Sequence, residues 1–163
     1  MSDSDRFVPV IVSGLARDPQ NNPVVLLQED GGQYTLPIWI GPAESVAIEL
    51  HLKGEVFARP LTHDLLKTML ESLGASVSRV AITDLRDNTF FARIYLQRGK
   101  DVFVIDARPS DSIALALKTG APIVVARAVF QAHRRADIAS HSAGPPGEDD
   151  LKRYLEGLDP GDF

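Results

Sequence analysis

The chain contains no cysteine, which excludes disulfides, thiolate zinc sites and cysteine nucleophiles together. It has no apolar run long enough to cross a bilayer, and its first residues, Met1-Ser2-Asp3-Ser4-Asp5-Arg6, are polar and acidic with no apolar leader core. A cytoplasmic protein without a membrane segment is the expectation. Signatures of nucleophiles and nucleotide binding are missing too: there is no Gly-x-Ser-x-Gly, no P-loop and no Gly-x-Gly-x-x-Gly. Serine hydrolases, nucleoside triphosphatases and dinucleotide oxidoreductases therefore lose their usual markers. His51 and His63 miss the His-x-x-x-His spacing of a zinc hydrolase. Basic residues are also short, with 17 Lys and Arg against 22 Asp and Glu and a net charge of -5. That balance argues against a protein whose main business is coating nucleic acid. Much of the acidity is local: from Glu148 onward six acids face only Lys152 and Arg153, leaving the preceding body at -1. The sequence shows no basic groove in that body.

What is present suits one soluble domain. At 163 residues, with 44% apolar and 24% charged residues, the chain is long enough for one packed core and short for two. Its organising stretch is Asp106-Ala107-Arg108-Pro109-Ser110-Asp111-Ser112-Ile113-Ala114-Leu115-Ala116-Leu117. The run Val102 to Ile105 before it reads as a buried strand, and a helix follows, with Ser110 as the expected N-cap, Asp111 in the first turn and Gly120 as the stop. A helix so rich in Ala, Leu and Ile should be packed between other elements. A second stretch, Arg59-Pro60-Leu61-Thr62-His63-Asp64-Leu65-Leu66, repeats the design with Thr62 as the expected cap and an apolar stripe at Leu65, Leu66, Met69, Leu70 and Leu73.

The remaining pattern predicts an α+β domain with a mixed, largely antiparallel sheet and packed helices. Phe7 to Leu15 alternates as a strand, and Val24 to Leu27 with Gln33 to Ile38 flank the turn residues Glu29-Asp30-Gly31-Gly32 as a hairpin. Pro42 opens a helix with Ala43, Val46, Ala47 and Leu50 as its core stripe. Val77 to Leu85, Thr89 to Gln97 and Val102 to Ile105 form a meander, and Pro122 to Val125 and Ala128 to Ile138 complete the body as strand and helix. The domain is expected over residues 1–139 and a linker with an acidic segment over 140–163. Asp149 to Leu158 could form a short amphipathic helix that docks on its own domain, a second subunit or a protein partner.

The chemistry left open is oxygen-rich. If the fold gathers Glu44, Asp64, Asp106 and Asp111, with Asp84 a weaker addition, Mg²⁺ or Mn²⁺ is the natural ligand, able to activate water and neutralise a phosphodiester transition state. Arg59 and Arg108 would clamp phosphate, and His63 would serve as general acid or base beside catalytic Asp106, Asp111 and Asp64. Each residue has a plainer reading as well: Arg108 with Asp111 and Arg59 with Asp64 as local ion pairs, Asp106 as a strand terminator, Trp39 as a core or interface anchor.

The two Arg-Pro stretches, together with Leu36-Pro37-Ile38-Trp39-Ile40-Gly41-Pro42-Ala43-Glu44, resemble the bifunctional nuclease domain family, formerly a domain of unknown function found in bacteria and plants. The resemblance covers roughly Val8 to Val129 and implies cleavage of RNA and DNA. With the apolar content on both faces of several strands, it also implies a homo-oligomer, most simply a dimer. The competing expectation is a non-catalytic, dimeric regulatory or scaffold domain whose Arg/Asp motif is structural or binds a small anion.

Overall fold

The structure, a computed structural model, describes residues 6–140 apart from Gln33, with side chains as far as His133. The segment expected to follow as linker and acidic tail lies outside the described residues. Seven strands and four helices follow one another as β1 (Phe7–Arg17), β2 (Pro23–Glu29), β3 (Thr35–Trp39), α1 (Pro42–Leu52), α2 (Thr62–Ser72), β4 (Ser76–Arg86), β5 (Thr89–Arg98), β6 (Asp101–Ala107), α3 (Pro109–Thr119), β7 (Ile123–Ala126) and α4 (Arg127–Ser140). The strands form one sheet in the order β3-β2-β1-β7-β4-β5-β6. Every pairing is antiparallel except β7 with β4. The sheet is thus mixed and largely antiparallel, and the domain is α+β.

Local chemistry explains the tight meander. Asp87 and Asn88 both take positive φ, 49° and 58°, the conformation that a two-residue turn needs to match the twist of β4 and β5. Side-chain alternation then divides the sheet. Val80, Ile82, Ala92, Ile94, Ile123 and Val125 point to the face on which α3 lays Ile113, Leu115 and Ala116, and all belong to one buried cluster. The helix α3 packs against α1, α2, β4 and β5, so the helix expected to be surrounded is surrounded. Gly120 closes it at φ 70°, ψ 16°, a left-handed cap that suits glycine.

Four expectations are corrected. The run Val102 to Ile105 is not buried: β6 is an edge strand, and its four apolar side chains are 39–59% exposed. Nothing described covers its outer edge. In α2 and at its cap, Leu65, Leu66, Met69 and Leu73 face outward while His63 is the buried residue; of the expected stripe only Leu70 packs against the core, so α2 turns inward along a line through His63 and Leu70. In α1 the buried pair is Ser45 and Ile48, and Val46 is 51% exposed. Finally, the caps sit earlier than the hydroxyl residues suggested. Arg108 caps α3 with Pro109 in the first turn, and Leu61 caps α2, its N–H bound by the Asp64 carboxylate at 3.0 Å.

Candidate functional site

The first turns of three helices meet at Arg108. Its Nη2 donates to Glu44 Oε1 of α1 at 2.7 Å, and its Nε donates to Asp111 Oδ2 of α3 at 2.9 Å. The other Asp111 oxygen accepts from His63 Nε2 of α2 at 3.1 Å. Asp111 and then Glu44 push the Arg108 pKa further up, so its charge is fixed. Asp64 stands apart from this group. It pairs with Lys118 at 2.9 Å near the other end of α3, and that bond, opposed by burial and aided by the Leu61 N–H, holds its carboxyl below the usual range. The chain therefore ties α1, α2 and α3 together with charge at their first turns and along α3.

Of the residues singled out in the sequence, Glu44, His63, Arg108 and Asp111 come together. Asp64 and Arg59 do not join them. Arg59 is exposed in the 53–61 connection and has no ion pair or hydrogen bond among the described residues. Asp84 pairs with Arg86 at 2.8 Å. Asp106 is exposed on β6, and among the described residues it has no ion pair or side-chain hydrogen bond. This geometry does not fit a divalent ion: Glu44 and Asp111 share Arg108, Asp64 is paired with Lys118, and no three histidine or acidic side chains converge among the described residues. His63, buried with Nε2 engaged, is placed to orient Asp111 rather than to reach a substrate.

Two clefts surround Asp106. The first, about 710 Å³, is lined by Trp39 and Gly41 at the end of β3, by Asn88 and Phe91 of the β4–β5 hairpin, and by Asp106 and Arg108. Strands β3 and β6 are the two edges of the sheet, so the sheet curls until its own margins enclose this space. Trp39 is anchored there by its Nε1, which donates to Asp18 at 3.1 Å. Asp18 also accepts from the backbone and side chain of Asn22 at 2.7 and 2.9 Å. Burial pushes the Asp18 pKa up, but these bonds outweigh it and leave the group below its ordinary value. The second cleft, about 850 Å³, shares Asp106 and Phe91 with the first and is lined by Arg6, Arg79, Arg86, Arg93 and Arg127. This arginine group has no signature in the sequence: Arg93 alternates with Phe91 and Tyr95 in β5, Arg79 and Arg86 come beside it through the register of β4, and Arg6 and Arg127 flank β1 and β7.

No helix among the described residues is long and apolar enough to cross a membrane. In comparison with known proteins, the bifunctional nuclease domain model matches residues 24–137. An uncharacterized protein of Mycobacterium tuberculosis (strain H37Rv) is 41% identical over 159 residues, which cover 94% of this chain and 95% of that protein. Bifunctional nuclease 1 of Oryza sativa subsp. indica is 30% identical over 145 residues, covering 78% of this chain and 44% of its own length. Bifunctional nuclease 2 of Arabidopsis thaliana is 31% identical over 133 residues, covering 78% and 40%. The chain thus spans less than half the length of these plant relatives. Three motifs in order, the matched span and these relatives agree: the chain belongs to the bifunctional nuclease domain family.

Proposed function

We propose that the chain is a nuclease that hydrolyses phosphodiester bonds in RNA, DNA or both, with Asp106 and Arg108 at its reacting centre. The observation that supports this most directly is the position of Asp106, an exposed carboxylate without a described partner, where two clefts meet and two residues before Arg108. Water attacks phosphorus, Asp106 accepts the proton, and the bond to the leaving oxygen breaks with that oxygen protonated from solvent. Arg108 keeps Nη1 free of described partners while Nε and Nη2 are anchored, so a rigid cation faces the developing charge. Glu44, Asp111 and His63 hold Arg108 in place.

The test is cleavage of labelled single-stranded RNA and DNA by the purified chain with Mg²⁺, Mn²⁺ or EDTA, beside identically purified Asp106→Asn. Asp106 is exposed, so the variant should fold normally and lose about a hundredfold or more in rate, the usual loss of a general base. Equal cleavage by both preparations would remove Asp106 from the chemistry or trace the activity to a contaminant. Cleavage that requires added metal would overturn the metal-free step above.

A second reading has its own support. Glu44, Asp64 and Asp111 are all spent in ion pairs, and β6 with the outer stripe of α2 leaves large apolar side chains exposed. Those features suit a non-catalytic scaffold that assembles as a homodimer. No cleavage in any arm of the assay, with a dimer in solution, would establish it over the nuclease.

A further inference from the structure

The chain is acidic overall, yet one face of its sheet is not. Opposite the side on which α3 packs, Arg79 of β4 pairs with Tyr95 of β5, and Arg93 of β5 lies between Ala81 and Asp106 on the neighbouring strands. Alternation puts Arg79, Arg93, Tyr95, Phe91 and Asp106 on that single face. Arg6 before β1 and Arg127 at the start of α4 complete the same cleft, whose five arginines outnumber its two acids, Asp84 and Asp106. Asp84 is already matched by Arg86. Arg6 and Arg93 leave unmatched positive charge among the described lining of this cleft, on a chain of net charge -5.

Aromatic rings fix part of that charge in place. The Arg79 guanidinium lies 5.2 Å from the Phe7 ring centre and 4.4 Å from that of Tyr95, and the Arg86 guanidinium lies 4.2 Å from Phe91. A planar cation stacked on a ring is held in one place and keeps its charge beside the open cleft. Arg93 and Arg6 have no ion pair among the described residues. Cations without a described partner on one face repel their neighbours unless an anion joins them.

We infer that this face is a track for a single-stranded nucleic acid, DNA or RNA, whose phosphates lie on the arginines while the strand continues past Phe91 to Asp106. The inference deepens the nuclease reading and rests on it for the nature of the polyanion. Continuity supports it: Asp106 and Phe91 wall both clefts, so a strand held on the arginines passes the proposed reacting carboxylate. A concave cleft of about 850 Å³ takes a few nucleotides of one strand.

The test measures binding apart from cleavage, by fluorescence anisotropy of a labelled oligothymidylate and a labelled oligouridylate in EDTA. The full chain should bind both, with log K falling against log salt at a slope of about -2 to -3, as three or four phosphate contacts require. Arg6→Glu with Arg93→Glu should weaken binding about tenfold or more at low salt. Lys53→Glu with Lys67→Glu, an equal charge change on α1 and α2, should change it by no more than about twofold. No binding by the wild-type chain at low salt, or equal loss in both double variants, overturns the track. Should the double arginine variant melt early, Arg93→Gln alone carries the comparison, since Arg93 is exposed. Failures separate cleanly: a chain that binds and never cleaves sinks the nuclease reading and keeps the track. Cleavage undiminished in the arginine variant sinks the track and keeps the nuclease.

Discussion

Arg108 receives Glu44 at 2.7 Å and Asp111 at 2.8 Å from two different helices, and Asp111 passes the connection to His63 on a third. The Arg108 side chain is 64% exposed, so water screens much of this attraction. Arg108→Ala should therefore cost only about 1 kcal/mol in urea unfolding, while Arg108→Lys should recover little, since a point charge cannot serve both carboxylates in one plane. His63→Ala reaches deeper. It removes a buried ring and strips one oxygen of Asp111, and a loss of about 2 kcal/mol is expected. Acid adds a separate check. Asp64 and Asp18 both sit below their ordinary values in the fold, so their stabilisation is complete above the unfolded value of about 3.9 and is lost as pH falls through the folded values beneath it. Urea midpoints should fall between pH 5 and pH 2 (roughly the window for these carboxyls), and Asp64→Asn should flatten part of that fall. A variant with the same acid slope as wild type would remove Asp64 from the account.

The helix α3 is the element on which the others converge, and Ile113 is its fully buried contact with the sheet. Truncating it leaves a cavity between layers, so Ile113→Ala should cost about 3 kcal/mol and Ile113→Val about 1, read by thermal or urea denaturation. This element was legible because its Ala-rich sequence is apolar all round and leaves little choice of face. Strands and hairpins were legible for a similar reason: Asp87-Asn88 and Gly31-Gly32 sit where the chain must take positive φ. The faces of α1 and α2 were not. Periodicity finds a stripe, but which stripe is buried depends on the neighbour, and α2 turns His63 inward and Leu65, Leu66 and Met69 outward. Likewise, four apolar residues in β6 look like a core strand until the sheet order puts them at the margin. The Arg108 cluster was half visible, as two decorated helix starts. Its pairing of Glu44 with Arg108 spans 64 positions and belongs to tertiary packing. Arginines of the second cleft were invisible for the same reason, being scattered from Arg6 to Arg127 until the sheet and the start of α4 gather them.

At the scale of the whole molecule, the sheet has one margin broken by a proline and one that nothing among the described residues covers. Edge strands usually carry a lysine, a proline or a bulge that blocks pairing. Strand β3 contains Pro37, whereas β6 runs from Asp101 to Ala107 in unbroken register with β5 and has Val102, Phe103, Val104 and Ile105 exposed in a row. An edge of this kind offers backbone donors and acceptors to any extended segment, and a second copy of the same strand satisfies it by antiparallel, two-fold pairing with no other partner required. The proposed dimer thus follows from β6 itself and would join two sheets at their open margins. Light scattering coupled to gel filtration should give twice the chain mass at micromolar concentration. Val104→Lys places a charge at the centre of β6 where solvent tolerates it in the monomer, and should halve the mass without lowering the monomer's own secondary structure by circular dichroism. A wild-type chain that is monomeric throughout would refute the pairing. A Val104→Lys chain that remains dimeric would move the interface to the exposed stripe of α2, where Leu65→Lys is the corresponding substitution.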